Sequence, residues 1–169
     1  VVDIGLCSTP QSYFANGTLE ADGSIMITAS HNPAEWNGFK LCKAMAVPIS
    51  GATGIADIEK LVMENNFTDA PVKGKVSTWS AAEAYGEFLR KQVTFTTKPK
   101  IVVDYANAMG SFEISGIKDL FEIIPLYEEL DGTFPNHEAN PLKTETLDDI
   151  RAKVKEVGAD FGAAFDGDA

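Results

Sequence analysis

Between residues 100 and 165 the sequence alternates short apolar runs with amphipathic stretches, and this rhythm limits the possible folds more than any other feature. Residues 100–105, 123–127 and 160–165 read as strands, with helices at 111–121 and 147–157 between them. Strands separated by helices predict a parallel sheet with covered faces, because parallel neighbours need a crossover connection. Ligands of such sheets gather at the carboxyl ends of the strands. Asp166 stands at one of those ends.

The first half repeats the rhythm more loosely. Residues 1–6 read as a strand, and Thr9-Pro10 as a helix start with Thr9 capping and Pro10 in the first helical position, the helix running to about residue 15. Residues 23–28 read as a buried strand, 38–43 and 44–49 as a hairpin, and Ile55, Ile58, Leu61 and Val62 recur at helical spacing. Residues 65–77, with Pro71 and Gly74 and few apolar side chains, make the best linker. Ala81, Ala84, Tyr85, Phe88, Leu89 and Val93 mark one face of a helix that bridges the two halves. The expected fold is therefore α/β: two consecutive αβ units, 1–76 and 77–169, with mixed or parallel sheets covered by helices.

Composition narrows the function classes. A chain of 169 residues with 44% hydrophobic content can build true cores. Its net charge of -11 argues against nucleic acid or an anionic membrane as a general partner, since both need clustered Lys and Arg. No apolar run approaches the ~20 residues a membrane helix needs. Cys7 and Cys42 form no CxxC pair, which points to a reducing, cytoplasmic setting. Val1 stands where an initiator Met would, and both ends fall inside or just after apolar runs. We therefore expect a piece of a longer protein, whose remaining domains would be its partners.

Two loops carry candidate chemistry. The first, Thr28-Ala29-Ser30-His31-Asn32-Pro33, puts a hydroxyl and an imidazole just after a strand, with the Lys40 ammonium close behind in Asn37-Gly38-Phe39-Lys40. Its small residues suggest free backbone N–H groups able to cradle a phosphate. Serine before Asn-Pro is also ordinary turn composition, a lone histidine is usually structural, and an edge lysine is usually solvated. The second loop, Phe165-Asp166-Gly167-Asp168, offers two carboxylates on a tight turn, suited to a hard cation such as Mg²⁺ or to a plain solvated turn. A phosphorylated Ser30 would add an oxygen ligand. A third loop, residues 131–141, contains His137 and Glu138 but reads as a structural connection.

Taken together these motifs resemble the α-D-phosphohexomutase family, most closely its phosphomannomutase/phosphoglucomutase branch. The resemblance rests on Asp3-Ile4-Gly5 with Ser8-Thr9-Pro10, the Thr28 to Pro33 loop, and Asn37-Gly38-Phe39-Lys40. It continues through Val102-Val103-Asp104 with Asn107 and Gly110, then Asp131-Gly132-Thr133-Phe134-Pro135-Asn136-His137, then Asp166-Gly167-Asp168-Ala169. Ala108, where relatives more often have Gly, is a small departure in a strand-to-helix turn.

The resemblance implies an enzyme of four domains, of which this chain would hold the latter part of the first and most of the second. It implies that Ser30 is a phosphoserine and metal ligand, that Asp166 and Asp168 are two of three Mg²⁺-binding aspartates, and that His31 and Lys40 serve proton transfer. The implied reaction moves a phosphoryl group between the 1- and 6-positions of a mannose or glucose phosphate through a hexose 1,6-bisphosphate. This chain alone would then be inactive. Three other readings stand beside it: a phosphoglucosamine mutase, a haloacid-dehalogenase-type phosphatase with Asp166 as nucleophile, and a non-catalytic structural fragment.

Overall fold

A computed structural model describes residues 1–169. In the second unit the expected sheet forms. Strand β6 (Lys100–Asp104) lies between β7 (Glu122–Leu126) and β8 (Phe161–Ala164), parallel to both, in the order β7-β6-β8. Because β6 is central and covered on both faces, its run Ile101-Val102-Val103 is uninterrupted by polar residues and almost fully buried. Ile101, Val103 and Tyr105 form a core cluster against Ile114, Phe121, Ile123 and Phe165. Helix α5 (Asp148–Val157) covers β6 and β8. The helix expected over 111–121 is instead a single turn, α4 (Gly110–Glu113), followed by the 3₁₀ segment Ser115–Leu120. Gly116 explains the change: its backbone sits against Gly86 so closely that a Cβ there would lie 2.5 Å from the Gly86 Cα.

The first unit is more open. Residues 1–6 yield only a two-residue strand, β1 (Val2–Asp3), because the Asp3 carboxylate turns back to accept the Gly5 N–H at 2.8 Å and Gly5 takes φ 67°. Helix α1 (Thr9–Thr18) outruns the expected end at residue 15. Its N-cap is Ser8, one residue before the expected Thr9, with the Ser8 Oγ accepting the Gln11 N–H. Strands β2 (Gly23–Ile27), β3 (Phe39–Lys43) and β4 (Val47–Pro48) form an antiparallel sheet in that order. α1 packs on β2, while Ile25, Ile27 and Phe39 on the sheet's other side are about two-thirds exposed. Helix α2 (Ile55–Met63) forms at its expected place, yet Ile58, Leu61, Val62 and Met63 stay exposed.

After the exposed stretch 65–76, strand β5 (Ser77–Thr78) pairs in parallel with β1. Helix α3 (Ala81–Gln92) then bridges the units as its apolar stripe predicts. It packs against α1 through Phe14, whose ring lies 5.3 Å from Tyr85 and 5.4 Å from Phe88, and against the 115–120 segment through Gly86. No helix is long and apolar enough to cross a membrane, and both cysteines are free and buried.

Candidate functional site

The Ser30 loop begins where β2 stops. Its base is closed by the Thr28 N–H donating to the Gly38 carbonyl at 3.0 Å, across the β2–β3 hairpin. Beyond that point Asn32 folds the chain back, its N–H and side-chain amide both donating to the Ala29 carbonyl. The Ser30 N–H donates to Thr28 Oγ1 at 2.8 Å, and Ser30 takes the left-handed φ of 54°, a conformation costly for a residue with a Cβ. The amides of Thr28, Ser30 and Asn32 are thus spent inside the loop. The phosphate cradle expected from its small residues is narrower than the sequence suggests.

The second loop meets the first across the two units. Asp168, buried at 4% exposure, directs Oδ1 toward Ser30 Oγ at 3.3 Å. Its Oδ2 accepts from the Thr9 hydroxyl at 2.6 Å and the Thr28 hydroxyl at 3.0 Å, and pairs with the Lys40 ammonium at 2.7 Å. The Thr9 N–H, at the start of α1, donates to the Asp168 carbonyl at 2.9 Å. The backbones touch as well: a Cβ on Gly167 would fall 2.2 Å from the Ser30 carbonyl oxygen, so only glycine fits. His31 lies exposed beside Ser30, with Nδ1 3.4 Å from Oγ, too long to align a proton transfer without movement.

Of the residues singled out from sequence, Ser30, Lys40 and Asp168 are joined by direct contacts, and His31 borders them. Asp166 shares their electrostatics. Burial raises its carboxyl above the usual range, and the neighbouring Asp168 charge adds to the effect, against weaker pulls from Lys40 and His31. Burial also pushes the Asp168 carboxyl upward, but hydrogen bonds from Lys40, Thr9 and Thr28 outweigh it and leave the group below its ordinary value. One carboxylate is therefore stabilised by its donors and the other is held at a cost.

Such a pair fits a hard divalent cation. Asp166, Asp168 and Ser30 supply oxygen donors only, as Mg²⁺ prefers, and the pulls of Lys40 and His31 do not offset the burial of Asp166 and the charge of Asp168. No group of three His, Cys, Asp or Glu side chains gathers to hold a metal.

Sequence reasoning missed Thr9 as part of this site. It read Thr9 as a helix cap, whereas Ser8 caps and the Thr9 hydroxyl is free to reach Asp168. The signal was present in Ser8-Thr9, two hydroxyls where one cap suffices. Ser8 Oγ also donates to Glu113, which accepts from Tyr85 as well, so the start of α1 is tied to the second unit at two places. The 131–141 loop has a structural role. His137 Nε2 lies 3.0 Å from the fully buried Asp104 carboxylate at the end of β6, and Asn136 donates to Asn107. Ala108 sits there buried without a left-handed backbone, so a glycine is not required.

Comparison with known proteins matches residues 1–69 to phosphoglucomutase/phosphomannomutase alpha/beta/alpha domain I and residues 83–169 to alpha/beta/alpha domain II. A phosphomannomutase of Vibrio cholerae is 41% identical over 99% of this chain and 38% of its own length. A phosphomannomutase/phosphoglucomutase of Pseudomonas syringae is 39% identical over 99% of this chain and 36% of its own. The crystal structure of a phosphoglucomutase/phosphomannomutase family protein from Burkholderia thailandensis superposes with a TM-score of 0.87 at 33% identity, covering 99% of this chain and 38% of that one. The chain thus spans less than two fifths of the length of these relatives.

Proposed function

Because the chain belongs to the phosphoglucomutase/phosphomannomutase family, we propose that it carries the phosphoryl-holding site of a phosphohexose mutase acting on mannose and glucose phosphates. The relatives' names favour those sugars over glucosamine phosphate. Both matched domains are those of mutases, so the phosphatase alternative is set aside. The observation that carries the reading is the meeting of Ser30 Oγ with Asp168, 138 residues away, beside the Lys40 ammonium.

In this reading residues 1–76 bring the phosphoserine and 77–169 the acidic loop. Ser30 carries a phosphoryl group and presents it in line to a free hydroxyl of the bound hexose phosphate. The O–P bond to serine breaks as the bond to the sugar oxygen forms, giving a hexose 1,6-bisphosphate. The sugar hydroxyl loses its proton in that step, to His31 or to a Lys40 side chain that has first given up its own proton and left Asp168, since the ammonium paired there cannot accept one. After the bisphosphate reorients, its other phosphoryl group returns to Ser30 and the isomeric monophosphate leaves. Phosphoryl transfer of this kind depends on positioning and charge neutralisation more than on covalent chemistry. Ser30, Asp166 and Asp168 would hold Mg²⁺, which when bound neutralises charge on the phosphoryl oxygens. Recognition of the sugar is assigned to the greater length the relatives possess, so this chain alone should not isomerise hexose phosphates. The setting we assign is a reducing cytoplasm, consistent with two free cysteines.

The test is phosphorylation by hexose 1,6-bisphosphate in the presence of Mg²⁺ in the longer enzyme, followed by intact-mass and peptide mapping. One phosphate on Ser30, absent from Ser30→Ala, is expected. Phosphate on another residue in both forms would count against the assignment.

A further inference from the structure

The two oxygens of Asp168 have unequal surroundings. Oδ2 receives three donors, the Thr9 hydroxyl, the Thr28 hydroxyl and the Lys40 ammonium, at 2.6, 3.0 and 2.7 Å. Oδ1 has only the Ser30 hydroxyl, at 3.3 Å. A carboxylate offers about four acceptor positions across both oxygens, so three donors saturate Oδ2. From this asymmetry we propose that Thr9 and Thr28 are positioning residues that commit Oδ2 to the protein and present Oδ1 to whatever is bound at Ser30. This rests on the phosphoserine and cation reading above for the identity of that ligand, and on the hydrogen-bond geometry alone for the orientation.

Thr28 has a double role. A hydroxyl can accept and donate at once, and here it accepts the Ser30 N–H while donating to Asp168 Oδ2. The relay from Ser30 N–H through Thr28 Oγ1 to Asp168 couples the left-handed backbone of Ser30 to the orientation of a carboxylate on the other unit. Thr9 completes the grip, because its backbone N–H holds the Asp168 carbonyl and its hydroxyl holds the carboxylate. A phosphorylated Ser30 has no hydroxyl proton to donate. Oδ1 then loses its one protein donor and faces the ligand free to bind a cation.

Hydroxyl-retaining and hydroxyl-deleting substitutions separate this role from simple packing. In metal-free protein, amide hydrogen exchange at Ser30 should accelerate about ten-fold or more in Thr28→Val and stay near the parent rate in Thr28→Ser. In Mn²⁺ titrations of the chain, Thr9→Val should weaken affinity about ten-fold, the low end of the effect of removing a hydrogen-bond partner from a ligating carboxylate, while Thr9→Ser stays within about two-fold. Unchanged Ser30 exchange in Thr28→Val would overturn the relay. Parent-like Mn²⁺ affinity in Thr9→Val would overturn the positioning role of Thr9. If the unsubstituted chain takes up no Mn²⁺, the cation reading fails for this chain, and the exchange result by itself upholds or overturns the orientation of Asp168. Should Thr28→Val not fold, Thr9→Val is read by the same Ser30 exchange, with acceleration expected and parent-like exchange contradicting the coupling.

Discussion

In the second unit the central strand β6 is covered on both faces and Val102 and Val103 are at most 1% exposed, whereas in the first unit Ile25, Ile27 and Phe39 on the β2–β3–β4 sheet are about two-thirds exposed. Half of the first unit's eight buried residues, Ser8, Thr9, Gln11 and Ser12, stand at the start of α1, where it meets the second unit. Three of these four bond directly to it, at Glu113, Asp168 and the Phe112 carbonyl. The acidic loop is thus carried by a sheet with its own core, while the Ser30 loop is held both by hydrogen bonds within the β2–β3 hairpin and by what it touches across the junction.

Gly167 gives the largest way to break that contrast. Gly167→Ala places a methyl 2.2 Å from the Ser30 carbonyl, a backbone atom that cannot step aside, so the loops must separate. We expect a cost of about 3 kcal/mol, at the upper end for overpacking, together with loss of Ser30 phosphorylation, while amide exchange in β6 stays slow. Acceleration of exchange throughout β6 would mean that the second unit does not stand on its own core.

Core substitutions sharpen the comparison. Ile101→Ala should cost about 3 kcal/mol in chemical denaturation, as a fully packed Ile does, and Ile25→Ala no more than about 0.5 kcal/mol. Equal costs would show that the exposed sheet face is covered in solution.

The two aspartates should respond in opposite directions. Asp168→Asn removes the partner of Lys40 and weakens two hydroxyl bonds, for a loss of about 2 kcal/mol near pH 7. Asp166→Asn removes a carboxylate that burial and Asp168 disfavour, and should raise the midpoint of unfolding while damaging function. The pH dependence follows the same signs. The lowered Asp168 group contributes stability above the ordinary carboxylate range that is lost as pH falls through its folded value. The raised Asp166 group costs stability at neutral pH, and that cost disappears as acid protonates it. The stabilising effect of Asp166→Asn should therefore shrink from about pH 7 to about pH 4, as followed by thermal unfolding.

Much of the second unit was legible in its residues, because a strand buried on both faces has a simple signature: an unbroken apolar run between amphipathic helices. The first unit was harder for the same reason reversed. Residues 1–6 look like a strand, but a local turn held by Asp3 and Gly5 stops it after Asp3, and no periodicity reports that. Ser30, Asp166 and Asp168 could be chosen from residue type and position after strands, and Lys40 from its place close behind the Ser30 loop. The meeting of Ser30, Asp166 and Asp168 at one cation is implied by the resemblance, but not the contacts that make it, since Asp168 reaches Thr9, Thr28, Ser30 and Lys40 through tertiary contacts that no local pattern encodes.

The central claim, that the two units close on one another through Asp168 to make a single site, is tested most directly by a double-mutant cycle of Lys40→Met and Asp168→Asn read by chemical denaturation. A coupling of about 1 kcal/mol or more between the two positions is predicted, as for residues in one contact network. Additivity to within about 0.3 kcal/mol would show that the loops are independent and would contradict the account.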